Sequence, residues 1–169
     1  MAEPLPRAEP VAAVDIRIDD PRRPDVLALL TEHLQDMFAT SPAESVHALD
    51  PDALVDPAIT FLSARRNGEL LGIGALKQLS PELAEIKSMR TRAAARGSGV
   101  AQDIVRRLLA TAREAGIRRV SLETGTQDYF APARRLYERL GFTSCGPFGD
   151  YSDDPHSAFL TIELAPDQP

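Results

Sequence analysis

The alternation of apolar and polar residues along the chain predicts a succession of strands and helices. The run VDIRI alternates as a strand does and sets the start of regular structure near Val14. A helix is predicted to begin at residues 20–21, an Asp-Pro pair that suits an N-cap and a first helical turn, and to end at residues 41–42. Its apolar residues recur at helical spacing and form one stripe: Val26, Leu29, Leu30, Leu34, Met37 and Phe38. Residues 44–57 show no strong periodicity and are predicted to hold one or two short helical turns.

The pattern changes to a β type at Ile59. The runs ITFLSA and LLGIGALK flank an Asn-Gly pair at residues 67–68, which predicts a hairpin with a type I′ turn. Gly72 and Gly74 leave one face of the second strand bare, so another element is expected to pack closely there. A third strand is predicted over residues 83–91. Strict alternation on it predicts one shared face for Glu85, Lys87, Met89 and Thr91.

The second half of the chain alternates helices and strands. A glycine-containing loop at residues 96–99 leads into a helix that Gly116 terminates. The predicted buried side of this helix comprises Val100, Ile104, Leu108, Leu109 and Ala112. The remaining predicted elements are a strand over 119–124, a helix over 128–140 with Pro132 in its first turn, and closing strands over 142–147 and 157–164. This order predicts an α/β fold (α+β), with a central mixed sheet of about six or seven strands flanked by about four helices.

Composition is consistent with one globular domain. The proline-rich residues 1–13 are predicted to be a flexible tail, and residues 14–169 a single domain. Cys145 is the only cysteine, which excludes an intramolecular disulfide and a multi-cysteine metal site, and no metal is expected. No apolar run approaches the ~18 residues of a membrane span, and the N-terminus has no secretory pattern. We therefore expect a cytoplasmic protein without a membrane partner.

The charge is unevenly distributed along the chain. The formal net charge of −6 disfavours a nucleic acid as partner, because phosphate affinity needs a positive protein field. Between Lys87 and Arg119, however, the sequence contains nine basic residues and two acidic ones. A local polyphosphate site is therefore compatible with the acidic total.

The sequence RGSGVA at residues 96–101 is a candidate anion-binding loop. The first N–H groups of a helix have no intrahelical partner and carry the positive end of its dipole, so they suit a phosphate or pyrophosphate. The loop lacks the Lys of a Walker A motif, and Gln102 stands where a dinucleotide fingerprint needs a third small residue. Nucleotide binding is thus the weaker interpretation, and a loop that merely turns the chain remains open.

Two motifs in order resemble the GNAT superfamily of N-acetyltransferases. The first is RGSGVA after the strand AEIKSMRT, which is similar to the acetyl-CoA loop Arg/Gln-x-x-Gly-x-Gly/Ala. The second is similar to the helix signature Ala-x-x-Leu-Tyr-x-x-x-Gly-Phe and comprises Ala133, Leu136, Tyr137, Gly141 and Phe142. The resemblance covers residues 83–142 and implies a small bacterial single-domain enzyme. It also implies direct acetyl transfer from acetyl-CoA to a primary amine of a small molecule or peptide.

The resemblance assigns roles to individual residues. It implies Glu85 as the general base and Tyr137 as the acid that protonates the leaving thiolate. The implied acetyl-CoA contacts are Met89, Arg90, Thr91, Arg96, Gly97, Ser98, Gly99, Val100 and Ala101. Structural interpretations stay open for both catalytic candidates: Glu85 as a strand carboxylate paired with Lys87 or an arginine, and Tyr137 as a core residue with its hydroxyl at the edge.

The acceptor side is less well defined by the sequence. Acidic and polar residues in segments flanking the expected cleft would suit a cationic amine: Glu123, Asp150 and Tyr151, with Glu44 and His47 as further candidates. Phe130 stands where many family members carry an Asn that contacts pantetheine. This departure keeps an alternative open, a non-catalytic acyl-CoA-binding or sensing module. Homodimers are common in the superfamily, so the resemblance also allows a homodimer.

Overall fold

A computed structural model of the chain describes residues 10–48 and 50–166. Most of the predicted tail, residues 1–9, lies outside this part, and residues 10–14 precede the first strand. The strands are β1 (Asp15–Ile18), β2 (Ile59–Arg66), β3 (Glu69–Gln78), β4 (Leu83–Thr91), β5 (Arg119–Gly125), β6 (Thr143–Ser144) and β7 (Ser157–Glu163). The helices are α1 (Pro24–Thr40), α2 (Val100–Glu114) and α3 (Ala131–Arg139). Single 3₁₀ turns occupy Ala43–Ser45, Ala53–Val55, Ala93–Ala95 and Asp128–Phe130.

The strands form one mixed sheet in the order β1-β2-β3-β4-β5-β7-β6. All neighbours are antiparallel except β4 and β5, which are parallel and are joined by α2. The predicted fold class is therefore confirmed, with seven strands. In the described residues the helices number three, and 3₁₀ turns take the place of a fourth.

Each face of the sheet carries its own apolar core. On one face α1 packs through Val26, Leu29 and Leu30 against residues of β2 and β3 such as Phe61 and Ile73. On the other face α2 packs through its predicted buried side, and α3 joins the same core through Tyr137. Across 10–48 and 50–166, no helix is long and apolar enough to span a membrane.

The hairpin and the bare strand face are confirmed. Asn67 and Gly68 have φ values of 49° and 80°, as a type I′ turn between β2 and β3 requires. Gly74 lies directly beneath α2, because a Cβ placed on it would be 2.5 Å from Met89 Sδ and 2.7 Å from Ile104 Cγ2. The glycine thus lets the helix approach the sheet closely.

The start of α1 differs from the prediction. The Asp20 carboxylate accepts a hydrogen bond from the Arg22 amide, and the Asp20 carbonyl accepts one from the Arg23 amide. These bonds make residues 20–23 a turn, and the helix begins at Pro24, the second Pro of the segment. The predicted apolar stripe is also only partly buried, since Leu34 and Phe38 are exposed.

The last elements are shorter than predicted. The helix expected over residues 128–140 is divided into a 3₁₀ turn and α3, with Pro132 in the first helical turn. The strand expected over residues 142–147 pairs at only two positions, Thr143 with Thr161 and Ser144 with Leu160. Pro147 has no N–H with which to extend this pairing.

Candidate active site

The two parallel strands at the centre of the sheet separate halfway along their length. β4 and β5 pair from Leu83 with Arg119 to Ile86 with Leu122, and no further. Both strands continue past this point, β4 to Thr91 and β5 to Gly125. The backbone groups that face each other beyond the split are therefore available to a ligand inserted between the strands.

A β-bulge at Ser88 rearranges the faces of β4. Ile73 of β3 pairs with Arg90, but Ala75 pairs with Lys87, so β4 holds one extra residue there. Ser88 accordingly has φ 55°. The predicted common face of Glu85, Lys87, Met89 and Thr91 is therefore wrong, because strict alternation does not survive a bulge. Glu85 and Lys87 share the α1 face with Arg90, whereas Met89 lies on the α2 face, against Gly74.

A cleft of about 660 Å³ opens at the split and is lined from both faces of the sheet. Of the residues singled out from the sequence, it brings together Glu85, Met89, Arg90, Thr91, Arg96, Gly97, Gly99, Val100, Ala101, Glu123, Tyr137, Tyr151 and His47. Ser98, Asp150 and Glu44 do not line it. The Ser98 hydroxyl instead donates a hydrogen bond to the Ala95 carbonyl within its own loop.

The glycine loop and the start of α2 form one end of the cleft. Gly97 and Gly99 have φ values of 75° and 88°, and Gly99 is the N-cap of α2. The first intrahelical bond runs from the Asp103 amide to the Gly99 carbonyl. The amides of residues 100–102 therefore have no intrahelical partner and face outward from the positive end of a 15-residue helix. With the exposed Arg96 beside them, these amides suit a pyrophosphate.

Tyr137 reaches the cleft from the α2 and α3 side. It is 5% exposed, and its ring packs edge-to-face on Phe142 at 5.6 Å between centroids. Its hydroxyl has no hydrogen-bond partner among the described residues. The hydroxyl oxygen is not fully buried, so a ligand in the cleft can reach it. Burial raises the pKa of Tyr137 well above that of a free phenol. The hydroxyl therefore stays protonated at neutral pH and can donate a hydrogen bond to a ligand.

Glu85 reaches the cleft from the opposite face. It is 4% exposed, and its Oε1 accepts hydrogen bonds from Lys87 Nζ at 3.0 Å and from the Tyr151 hydroxyl at 2.5 Å. The structural interpretation of Glu85 as the ion-pair partner of Lys87 is thus correct as geometry. This ion pair does not exclude a role of Glu85 as a proton acceptor, since its other oxygen, Oε2, has no hydrogen-bond partner in the described part of the chain.

Glu123 and His47 lie near this carboxylate. Glu123 follows Leu122, the last residue of β5 that pairs with β4, and shares a sheet face with Glu85 because Glu85 pairs with Ser121. Burial raises the pKa of Glu123, and the nearby charge of Glu85 acts in the same direction. The His47 ring packs edge-to-face on Tyr151 at 5.1 Å. In residues 10–48 and 50–166 no group of three His, Cys, Asp or Glu is placed to hold a metal ion.

Arg90 has a role that the sequence motifs do not indicate. Its guanidinium is buried and forms ion pairs with Glu32 at 2.5 Å and Asp36 at 2.6 Å, both on α1. It also donates to the Tyr129 hydroxyl at 3.2 Å. The side chain of this predicted acetyl-CoA contact is therefore directed to α1, and it ties α1 to the segment before α3. The bulge at Ser88 places the Arg90 side chain on the α1 face, and no local sequence motif predicts this orientation.

Comparisons with known proteins agree with this geometry. The sequence model of the Acetyltransferase (GNAT) family matches residues 26–142. The chain belongs to the GNAT family of acetyltransferases. It is 48% identical over 149 residues to YsnE, an uncharacterized N-acetyltransferase of Bacillus subtilis, covering 88% of this chain and 99% of that protein. It is also 38% identical over 155 residues to a protein of Azospirillum brasilense named IAA acetyltransferase, covering 89% and 98%.

Solved GNAT structures share the fold. A Klebsiella pneumoniae structure described as an acyl-CoA N-acyltransferase has a TM-score of 0.73 at 25% identity, covering 90% of this chain and 98% of that one. The Salmonella typhimurium protein yncA, solved with its cofactor acetyl-CoA, has a TM-score of 0.67 at 21% identity, covering 92% and 98%. The GNAT resemblance that the two motifs indicate is therefore confirmed.

Phe130 is where this chain departs from the usual GNAT pattern. Its ring lines the cleft and lies directly over Gly125, where a Cβ would collide with it. Tyr129 packs edge-to-face on the same ring at 4.9 Å. An apolar wall thus stands at the position where the resemblance leads us to expect an Asn side chain.

Proposed function

We propose that this GNAT protein transfers the acetyl group of acetyl-CoA directly to a primary amine of a small molecule or peptide. The observation that carries the proposal is the cleft at the split of β4 and β5. It joins an anion-binding helix start to a buried carboxylate, with a protonated tyrosine reaching in from the other face. Each of these three parts matches one requirement of thioester aminolysis.

Acetyl-CoA would bind with its pyrophosphate at the start of α2. The amides of residues 100–102 and the side chain of Arg96 offer donors and positive charge to it. Its pantetheine would follow the unpaired edge of β4 past Met89 and Thr91, and a main-chain N–H on this edge would polarise the thioester carbonyl. No metal is needed for this step.

The main chemical difficulty is the proton on the acceptor. An amine with a pKa of about 10.4 is neutral in about one molecule of 2,500 at pH 7, which costs about 5 kcal/mol. Glu85, directly or through a water, would take this proton before the neutral nitrogen bonds to the carbonyl carbon. The C–S bond then breaks, Tyr137 would protonate the departing thiolate, and the second proton lost by the nitrogen would restore the Tyr137 hydroxyl, directly or through a water. The acidic pair Glu85 and Glu123 supports a cationic amine as acceptor.

An acceptor screen tests the proposal. The protein is mixed with acetyl-CoA and separate primary amines: polyamines, amino acids, peptides with free N-termini and, because of the Azospirillum relative's name, IAA as a non-amine comparison. Thiol release above the rate of hydrolysis, with an acetylated amine in the mass spectrum, is expected for one class of amine. Acetyl-CoA binding without turnover on any amine would contradict the proposal and favour an acyl-CoA-binding module.

A competition experiment tests the cofactor separately. Acetyl-CoA is expected to displace a fluorescent CoA derivative at far lower concentration than ATP or NAD. A preference for either nucleotide would instead support the weaker interpretation of the RGSGVA loop as a nucleotide site. No binding of acetyl-CoA at millimolar concentration would contradict the proposal at its first step.

A further inference from the structure

Lys87 occupies a position that the proposed reaction does not by itself require. Its side chain is only 11% exposed, which is unusual for a lysine. Nζ donates hydrogen bonds to Glu85 Oε1 at 3.0 Å and to the Tyr151 hydroxyl at 3.0 Å, and it lies 5.6 Å from the centre of the Tyr151 ring. A buried ammonium held in this way has a fixed position.

The three groups form a closed triangle of hydrogen bonds. The Tyr151 hydroxyl donates to the same Glu85 Oε1 that accepts from Lys87. Burial, together with the charge of Glu85 and the hydrogen bond to it, raises the pKa of Tyr151, so the phenol stays a donor. Because Oε1 is held at two points, rotation of the carboxylate is restricted. Oε2 has no hydrogen-bond partner among the described residues. It is not fully buried, so it remains accessible from the cleft.

We propose that Lys87 is a positioning residue, which pins Glu85 Oε1 and the Tyr151 hydroxyl so that Glu85 Oε2 is presented to the acceptor amine. This role rests on the proposed function, because it matters only if Glu85 acts as the base. Lys87 itself contacts neither the acceptor nor acetyl-CoA in this account. It acts through Glu85.

Lys87 is the cation that forms a hydrogen bond with Glu85 among the described residues. The other titratable or charged groups that share its sheet face or its cleft are Lys77 of β3, Arg90 of β4, Glu123 of β5, His33 and Asp36 of α1, His47 of the segment after α1, and Tyr151 of the loop before β7. Lys77 is the register partner of Glu85, but it forms no hydrogen bond with it in the described part of the chain. Lys87 lowers the pKa of Glu123 while Glu85 raises it. Lys87 therefore offsets the mutual repulsion of the two carboxylates.

The test is the pH dependence of kcat/KM for the amine that the wild-type protein acetylates best. Replacing Lys87 by Met removes the charge and nearly keeps the shape. A cation within hydrogen-bond distance lowers a carboxyl pKa by about 1 to 3 units, so the acidic limb of the Lys87→Met profile is expected to move up by about that amount. Lys87→Arg keeps the charge and is expected to restore the wild-type limb.

The chain offers a matched control. Lys77 is the only other lysine, it lies across from Glu85 on the same sheet face, and it does not line the cleft. Lys77→Met is expected to leave the profile unchanged. An unshifted acidic limb in Lys87→Met, or an equal shift in Lys77→Met, would overturn the role of Lys87. The proposed function would still stand in that case, provided that the wild-type protein acetylates an amine. No transfer by the wild type to any amine would overturn the proposed function first.

A measurement without turnover covers the case in which Lys87→Met does not fold. Two lysines give two ¹³Cε NMR signals in lysine-labelled protein. The Lys87 signal is expected to change its chemical shift in Glu85→Gln, because the charged partner of Nζ is then lost, whereas the Lys77 signal is expected to stay in place. A Lys87 signal with the same chemical shift in Glu85→Gln as in the wild type would overturn the proposal.

Discussion

Glu85 and Tyr137 contribute to the cleft from opposite faces of the sheet. Cross-strand partners place Glu85 on the α1 face, whereas Tyr137 belongs to the core under α2 and α3. A thioester held between the split strands would then have a proton acceptor on one side and a proton donor on the other. At the scale of single residues, this separation would place the proposed base and the proposed acid on opposite sides of the thioester.

Replacing Tyr137 by Phe tests the proposed acid. The change removes only the hydroxyl and keeps the ring against Phe142. We expect kcat to fall by about 100-fold with little change in acetyl-CoA affinity, because a general acid acts only in the transition state. Steady-state kinetics with calorimetric titration of acetyl-CoA measure both quantities. Unchanged kcat would remove Tyr137 from the mechanism.

Replacing Glu85 by Gln tests the proposed base. We expect kcat/KM at pH 7 to fall by about 100-fold or more. The residual rate should rise with pH in proportion to the neutral amine, because the acceptor must then lose its proton to solvent. Rates between pH 6 and pH 10, with Glu123→Gln as the neighbouring-carboxylate comparison, check this. A Glu85→Gln enzyme with the wild-type pH profile would contradict the assignment.

Asp19 provides a prediction about stability. Burial opposes its charged form, but hydrogen bonds from Ser63, the Asp20 amide and Arg65 prevail and lower the pKa of Asp19 from 3.8 to about 2. A lowered folded-state pKa stabilises the fold above pH 4, and this contribution is lost as pH falls from about 4 to about 2. Asp19→Asn is therefore expected to unfold at lower denaturant concentration than wild type at pH 7.

The difference between the two proteins should shrink on acidification. Denaturant titrations at several pH values between 2 and 7 measure it, and Asp15→Asn, on the exposed surface of β1, serves as the control. A constant difference across this range would show that the Asp19 charge does not contribute.

The sequence predicts single residues well where a motif identifies them. Gly97, Gly99, Arg96 and Tyr137 all line the cleft, as the two motifs indicate. The hydrogen bond between Tyr151 and Glu85 joins residues 66 positions apart, and nothing local in the sequence reveals it. Contacts of this kind depend on which loop folds back over the sheet.

At the scale of elements, the bulge in β4 and the bare face of β3 belong together. The extra residue in β4 turns Met89 toward α2, and its sulfur fills the space above Gly74. The sequence predicts the close packing on Gly72 and Gly74 correctly. It does not predict the bulge, because the phase change from Ala84 and Ile86 to Met89 rests on one apolar residue, which strict alternation interprets as belonging to the other face.

Gly74→Ala tests this packing. A Cβ there would lie 2.5 Å from Met89 Sδ and 2.7 Å from Ile104 Cγ2, so α2 or Met89 must move. We expect a loss of about 1–3 kcal/mol in the free energy of unfolding, as overpacking of a core usually gives. Gly146→Ala is the matched control, since no atom lies within 4 Å of the added methyl group. Equal stability of the two variants in urea titrations would contradict the packing.

At the scale of the whole molecule, the split sheet would allow an acidic protein to bind the proposed polyphosphate cofactor. The net charge is −6, yet the cleft begins at a helix start with Arg96 beside it and ends at Glu85 and Glu123. A cleft with opposite charges at its two ends suits one anionic and one cationic ligand. The order of strands and helices that creates this cleft follows from hydrophobic periodicity together with turn and cap residues, whereas the end of β4–β5 pairing does not.

The most direct test of the account follows the acetyl group itself. The wild-type protein is mixed with acetyl-CoA labelled in the acetyl group and the best amine of the screen, and products are separated by mass. We expect label on the amine nitrogen, one thiol released for each product, and an unchanged mass of the protein. Label on the protein before it reaches the amine, or thiol release with no labelled amine, would contradict direct transfer in this cleft.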